Sequence, residues 1–249
     1  MTLKWNLSEN MGTTLPKYGL GCSLWIESGL IVSYMLKRRF DSSIYRKTRI
    51  KQMKNVGIYL FNKVELLDFA GPYEVFSTTA ELNDHKPFKV FTISEDGGAI
   101  KSVNGLIVIP DYSFSNHPKI DILIIPGGEG TKAEIKKKKV MEWIERTYAS
   151  ADVMATVCSG ARIPAVLGLL DGLEATTHHS VIDDVKKLAT GVTIDHTKRF
   201  VDNGKIMTSG GISAGIDLSL HIVKKLYGEK VAEKTMEYME YGKAAPKNH

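Results

Sequence analysis

From Asn55 onward, short apolar runs alternate with longer segments in which apolar residues recur at helical spacing. The runs have the length and the β-branched content of buried strands. They predict strands at residues 56–61, 88–94, 121–125 and 153–157. The longer segments predict helices at residues 68–82, 131–149, 160–169, 180–189, 213–226 and 230–241. This alternation predicts an α/β fold, a doubly wound and mostly parallel sheet with helices on both faces.

Two Asn-Gly pairs, Asn104-Gly105 and Asn203-Gly204, interrupt this pattern and predict β-hairpins. In a doubly wound sheet, ligands bind beyond the carboxyl ends of the strands. Candidate functional loops therefore follow the predicted strands, at residues 62–71, 127–130 and 158–160.

Residues 1–54 differ from the rest in charge and in pattern. They carry ten Lys and Arg and three Asp and Glu, a formal charge of +7, whereas the remaining residues sum to −2. Their apolar stretch at residues 18–36 contains Glu27 and precedes its basic cluster, which disfavours both a membrane span and a signal peptide. We expect an N-terminal extension or a true start at Met53, with membrane contact as the alternative. The domain is predicted at residues 55–242, with a tail at 243–249.

Composition narrows the functional class. The chain is 43% hydrophobic, which is ordinary for a globular protein, and it contains two cysteines, Cys22 and Cys158. Two cysteines make no disulfide framework, so we expect the reducing cytoplasm. Because the excess positive charge lies in residues 1–54, the predicted domain shows no basic surface for nucleic acid.

Cys158 is the leading candidate for chemistry. It ends the apolar run V-M-A-T-V and is followed by Ser159, Gly160 and a predicted helix, as a nucleophile on a sharp strand-to-helix turn would be. We expect the helix N-terminus to stabilise the thiolate and lower the pKa of the thiol. The alternative is a buried cysteine that serves only as a small hydrophobe.

Three further features accompany this cysteine. Asp68 is either a catalytic carboxyl or the N-cap of its helix, and Glu65 nearby is expected to be exposed. His178, which precedes His179, is either a general base for the thiol or the cap of the next helix. Gly127 and Gly128 end a predicted strand, where their N–H groups could form an oxyanion hole. No metal-ligand cluster or phosphate-binding loop is evident, and we expect no cofactor.

These pieces together resemble the ThiJ/PfpI superfamily, the class I glutamine amidotransferase-like, flavodoxin-like α/β proteins. The resemblance covers about residues 55–241 and rests on five segments in order. They are L-L-D-F-A-G-P-Y-E-V-F (66–76), I-I-P-G-G-E-G (124–130), T-V-C-S-G-A (156–161), G-L-L-D-G-L-E-A-T-T-H-H (168–179) and T-S-G-G-I-S-A-G-I-D (208–217).

Within the superfamily, the chain looks most like the isonitrile hydratase branch. That resemblance implies Cys158 as nucleophile, Asp68 as general acid or base, and Ser159 in the place of a small hydroxyl residue. Asp68 departs from the branch that uses a glutamate, and Ser159 from the protease-like branch, which has histidine there. It also implies a homodimer. Related regulators carry an additional C-terminal DNA-binding domain of about 100 residues, which we do not expect in this chain.

The resemblance leaves three functions open. The first is a cofactor-free lyase that adds water to a small electrophile, most simply an isonitrile, giving an N-substituted formamide. The second is a glyoxalase- or deglycase-like enzyme that uses Cys158 and recruits His178. The third is a ligand- or redox-sensing domain without catalytic activity.

Overall fold

A computed structural model describes residues 52–242 of the chain. Predictions for residues 1–51 and for the tail at 243–249 lie outside the described residues. The strands, in chain order, are β1 (Lys54–Tyr59), β2 (Phe88–Ser94), β3 (Ile100–Lys101), β4 (Ile107–Val108), β5 (Tyr112–Ser113), β6 (Ile122–Ile125), β7 (Val153–Val157), β8 (Glu174–Ala175), β9 (Thr193–Ile194), β10 (Phe200–Asp202) and β11 (Ile206–Ser209).

The α-helices are fewer and several are short. In chain order they are α1 (Leu66–Glu81), α2 (Thr131–Glu134), α3 (Lys138–Ser150), α4 (Arg162–Val166), α5 (Ile182–Leu188), α6 (Ala214–Tyr227) and α7 (Glu229–Tyr238). Two 3₁₀ turns, Cys158–Ala161 and His179–Val181, precede α4 and α5.

A seven-stranded sheet forms the centre of the fold, in the order β10-β11-β7-β6-β1-β2-β5. Its pairs are parallel except for β10 against β11, so the predicted mostly parallel, doubly wound α/β sheet is confirmed. Every residue of β6 and of β7 is buried, as expected for strands covered on both faces. The parallel register brings the ends of β1, β6, β7 and β11 to one edge of the sheet.

Both predicted hairpins are present. The β3–β4 pair encloses Asn104-Gly105 and the β10–β11 pair encloses Asn203-Gly204, with both glycines at positive φ. The short parallel pair β8–β9 has no counterpart in the sequence predictions, because two-residue strands carry too little periodicity to be recognised.

Two predicted helices are wrong in extent. The helix predicted at 131–149 is broken between α2 and α3, where Glu134 turns inward to accept a hydrogen bond from Tyr59 Oη at 2.5 Å. The helix predicted at 160–169 is a 3₁₀ turn followed by the five residues of α4. The 3₁₀ turn carries Cys158, the leading candidate for chemistry.

No helix within residues 52–242 is long and apolar enough to cross a membrane.

Candidate functional site

Cys158 lies at the end of β7, on the predicted strand-to-helix turn. Its φ of 56° is in the left-handed region, which is uncommon for any residue with a side chain. The main chain is held there on both sides: its N–H donates to the Gly210 carbonyl at 3.1 Å, and its carbonyl accepts from Thr177 Oγ1 at 2.7 Å. Such a constrained turn is typical of a residue whose position, rather than its packing, matters. The side chain is almost fully buried.

Asp68 does not cap its helix. The N-cap of α1 is Glu65, and Asp68 lies in the first turn, fully buried. Its Oδ2 accepts a hydrogen bond from the Gly127 N–H at 2.9 Å. Its Oδ1 is buried and has no hydrogen-bond partner among the described residues. A buried carboxyl oxygen without a partner is costly, which points to a functional role.

The carboxyl of Asp68 and the thiol of Cys158 lie close enough to shift each other's pKa. Burial raises the pKa of Asp68 to about 7, against the opposing effect of the Gly127 N–H and with a smaller contribution from the charge of Glu65. Burial, and next the charge of Asp68, raises the pKa of the Cys158 thiol to about 12. The expectation of a lowered thiol pKa is therefore wrong, because desolvation outweighs the N–H groups of Ser159 and Ile212 that favour the thiolate.

At neutral pH the resting state is consequently a thiol beside a carboxyl that is close to half protonated. Of the two groups, only the Asp68 carboxyl ionises in this pH range. Such a pair can form a thiolate only by moving the thiol proton to Asp68 or to a substrate.

Ser159 fixes the strand-end turn instead of facing outward. Its Oγ accepts a hydrogen bond from the Gly128 N–H at 2.8 Å and donates to the Gly128 carbonyl at 3.1 Å. The Gly127 N–H is likewise occupied by Asp68. Neither glycine therefore offers a free donor, which disagrees with the predicted oxyanion role: these N–H groups orient the side chains of Asp68 and Ser159.

Gly127 is required here for its lack of a side chain. A Cβ at this position would lie 2.6 Å from Ser159 N and 2.8 Å from Asp68 Oδ2. Because of this close approach, the turn after β6 contacts both Asp68, which follows β1, and Ser159, which follows β7. An alanine would force Asp68 and Ser159 apart.

Sequence reasoning did not identify Ile212, whose N–H favours the ionised forms of both Asp68 and Cys158. It has a φ of 52°, which for a β-branched residue is a genuine outlier. The Gly210-Gly211 pair before it was the available signal. A Cβ on Gly211 would lie 2.1 Å from His178 Cδ2, so Gly211 lets this loop approach the next wall of the site.

His178 caps the turn that follows it. Its Nδ1 accepts a hydrogen bond from the Ser180 N–H at 3.3 Å and lies 2.8 Å from Ser180 Oγ. Burial, and next the charge of His179, lowers the pKa of His178, which keeps its ring neutral at neutral pH. Of the two interpretations of this histidine, the structure supports the cap.

Beside Cys158 lies a cavity of about 250 Å³. Its walls include Cys158, Ser159, Ile212 and His178, together with Glu65, which is half-buried rather than exposed as expected. Two cationic residues complete one side, namely Lys132 and the buried Arg162. The sulfur therefore faces a polar chamber large enough for a small organic molecule.

Across residues 52–242, no group of three or more His, Cys, Asp or Glu side chains is placed to hold a metal ion.

Comparison with known proteins shows which family the chain resembles. The DJ-1/PfpI family model matches residues 54–225. The chain is 31% identical to the isonitrile hydratase of Pseudomonas putida over 191 residues, covering 77% of this chain and 80% of that protein. It is 23% identical to the HTH-type transcriptional regulator GbdR of Pseudomonas aeruginosa, covering 76% of this chain and 51% of the regulator.

A solved structure supports the same assignment. The crystal structure of a ThiJ/PfpI family protein from Pseudomonas syringae matches with a TM-score of 0.71 at 25% identity, over 82% of each chain. The chain belongs to the DJ-1/PfpI family, and the predicted superfamily is confirmed.

Proposed function

We propose that this DJ-1/PfpI family member is a cofactor-free cysteine hydratase that converts an isonitrile to an N-substituted formamide. The observation that carries the proposal is the fully buried Asp68, one of whose oxygens has no partner, beside the Cys158 thiol. The similarity to isonitrile hydratase over most of both chains supports the choice of substrate.

Addition is the first step. The terminal carbon of R–N≡C is electrophilic, and the sulfur of Cys158 bonds to it while Asp68 takes the thiol proton. Asp68 then returns that proton to the same carbon, which gives the thioimidate R–N=CH–S–Cys158. A pKa near 7 suits a group that must both accept and donate a proton at neutral pH.

Hydrolysis is the second step. A water molecule in the cavity adds to the thioimidate carbon, with Asp68 accepting one of its protons and the second passing from the added oxygen to the nitrogen, which becomes N–H. The C–S bond then breaks, which releases R–NH–CHO, and the proton held by Asp68 returns to the sulfur. The sum is addition of one water to one isonitrile, with no oxidant, reductant or cofactor.

The roles of Ser159, Gly127 and Gly128 follow from their contacts. Ser159 holds the glycine turn, and the Gly127 N–H occupies Oδ2 of Asp68, so that the unpartnered Oδ1 is the oxygen available for proton transfer. The N–H groups of Ser159 and Ile212 favour negative charge on the sulfur as it leaves.

The raised thiol pKa bears on the alternatives. Oxidation sensors depend on a low-pKa thiolate, whereas Cys158 is a buried thiol. A glyoxal-processing enzyme with His178 as base has less support, because His178 Nδ1 is occupied by Ser180.

The experiment is formamide production from an aliphatic isonitrile by the purified chain, compared with Cys158→Ala and Asp68→Asn. We expect turnover by the wild type and none by Cys158→Ala. Turnover of methylglyoxal without turnover of isonitrile would transfer the proposal to the glyoxalase class. Binding of isonitriles without any turnover would favour a sensor.

We further propose a homodimer that uses the β3–β4 hairpin. Its apolar side chains Val103, Leu106, Ile107 and Ile109 are exposed, the last at 78%. Such a contiguous apolar surface is typical of an interface. The hairpin adjoins the site, since Val103 N–H donates to the Val64 carbonyl next to Glu65. Sedimentation equilibrium should give a dimer for the wild type and a monomer for Ile107→Glu with Ile109→Glu. A wild-type monomer at micromolar concentration would refute the proposal.

A further inference from the structure

Arg162 is a charged residue that neither the sequence analysis nor the proposed reaction uses. It is the first residue of α4, only 4% exposed, and it borders the cavity that contains Cys158. Arginine is seldom so deeply buried unless paired or functional. Its burial beside a nucleophile therefore requires an explanation.

The guanidinium is held rigidly from its outer side. Its Nε and Nη2 donate to Asp184 Oδ2 at 3.2 and 2.5 Å, and its Nη1 donates to Thr131 Oγ1 at 3.0 Å. The fully buried Thr131 in turn donates to the carbonyl of Gly128 at 2.8 Å. The same contacts thus fix Arg162 relative to the glycine turn that orients Asp68 and Ser159.

This arrangement leaves part of the guanidinium unsatisfied. Arginine has five N–H donors, and residues 52–242 accept three hydrogen bonds from it. Asp184, its counter-ion, is 46% exposed and contacts the guanidinium through a single oxygen, Oδ2. The remaining donors require an acceptor that the described residues do not provide.

Three other charged side chains border the cavity. Lys132 on the same side is also positive and exposed. Glu129 is exposed and paired with Lys63 at 3.3 Å. Glu65 is half-buried on the side that also carries Asp68. A ligand that fits this distribution would place its electrophilic carbon at Cys158 and an anionic acceptor at Arg162.

We propose that the cavity binds small electrophiles that carry a carboxylate, and that Arg162 is the specificity-determining residue that holds the carboxylate. The planar guanidinium suits a two-oxygen acceptor better than an ammonium would. With about 30 Å³ for each water-sized group, 250 Å³ limits the ligand to a short molecule. The choice of substrate class rests on the proposed hydratase function, and it narrows the substrates to isonitriles whose R group carries a carboxylate close to the isonitrile carbon.

The experiment alkylates Cys158 with a nearly isosteric pair, iodoacetate and iodoacetamide. In each reaction the S–C bond forms as iodide leaves, and the thiol proton passes to Asp68 and from there to solvent. Rates are read on the peptide that contains Cys158, which separates it from Cys22. We expect Arg162→Gln to lower the ratio of the iodoacetate rate to the iodoacetamide rate by about tenfold, as loss of a charge-assisted hydrogen bond implies. Arg146→Gln, on the exposed face of α3, is the matched control and should keep the wild-type ratio.

A second measurement needs no variant. Propionate should protect wild-type Cys158 from iodoacetamide at concentrations where propionamide, which has the same shape and no charge, does not. Equal protection by the two, or an unchanged rate ratio in folded Arg162→Gln, would overturn the proposal.

Measuring isonitrile turnover distinguishes failure of the carboxylate-binding proposal from failure of the proposed hydratase function. If the site prefers anionic reagents but no isonitrile is hydrated, the proposal of carboxylate binding at Arg162 is supported and the proposed hydratase function is contradicted. If both hold, isocyanoacetate should be turned over with a higher kcat/KM than its methyl ester, and the difference should depend on Arg162.

Discussion

Two buried acids lie at the same edge of the sheet, and they differ in what surrounds them. Glu134, 3% exposed, accepts a hydrogen bond from Tyr59 Oη at 2.5 Å and pairs with Lys137 at 3.0 Å. Asp68, fully buried, accepts a hydrogen bond from the Gly127 N–H at 2.9 Å, lies near the Ile212 N–H and the Cys158 thiol, and has no cationic partner among the described residues. The first acid is satisfied and stabilises the break between α2 and α3. The second retains an unpartnered oxygen and a raised pKa, which is what proton transfer requires.

The comparison also explains why burial alone identifies nothing. Both carboxyls are buried, but each oxygen of Glu134 has a partner, whereas Oδ1 of Asp68 has none among the described residues. Function is indicated by the combination of burial, a missing partner and a neighbouring nucleophile.

The largest expected effect is on catalysis. Asp68→Asn keeps the size and an acceptor for the Gly127 N–H but removes proton transfer, so we expect kcat/KM for isonitrile hydration to fall by about a thousandfold. Glu134→Gln makes the same chemical change at the satisfied acid and should leave turnover near the wild-type value. Equal losses in the two variants would remove the distinction between the acids.

The next effect is on stability, where the variant that loses activity is expected to gain free energy of unfolding. Because the folded-state pKa of Asp68 is raised from 3.8 to about 7, its contribution to stability is fully present below pH 4 and is lost as pH rises through 7. Asp68→Asn should therefore raise the free energy of unfolding at pH 8 by about 2 to 4 kcal/mol, and by much less at pH 4. Denaturant unfolding at the two pH values measures this.

The satisfied acid again supplies the control. Glu134→Gln weakens the pair with Lys137 and should lower the free energy of unfolding at pH 8 by about 1 kcal/mol. If Glu134→Gln stabilises the protein at pH 8, or if Asp68→Asn destabilises it, then burial of the Asp68 carboxylate is not the unfavourable contribution assigned to it here.

The pH dependence of catalysis provides a third test. The reactive form of the Asp68–Cys158 pair carries one negative charge, so kcat/KM should rise up to about tenfold per pH unit below 7 and level off above it. A profile that falls above pH 7 would mean that the fully protonated pair is the reactive form. Initial rates between pH 5 and 9 distinguish these outcomes.

The smallest effect is expected at Ser159. Ser159→Ala leaves the Gly128 N–H without its acceptor, which loosens the turn that holds Asp68 and should lower kcat by about tenfold. Ser159→Thr keeps the hydroxyl and should restore activity, as a positioning role requires. Failure of threonine to rescue would indicate that the loss comes from packing.

Much of the fold was predictable from local pattern. The strands β2 and β7 begin and end where the predicted runs at 88–94 and 153–157 do, because both strands are mostly buried and rich in apolar residues. Cys158 was recognisable for the same reason, since it directly follows such a run. The break in the helix predicted at 131–149 could not be predicted, because Glu134, the last residue of α2, accepts its hydrogen bond from Tyr59 on β1, far away in the sequence.

The amino-acid sequence by itself determined the alternation of strands and helices, the turn at Cys158 and the nearby acidic motif, since each depends on neighbouring residues. Only the tertiary structure decided the state of the site. The pKa of Cys158 is raised rather than lowered, the N–H groups of Gly127 and Gly128 are occupied, and Ile212 and Arg162 join the walls. Desolvation and hydrogen-bond partners depend on segments distant in the chain, and these segments meet only when the sheet assembles.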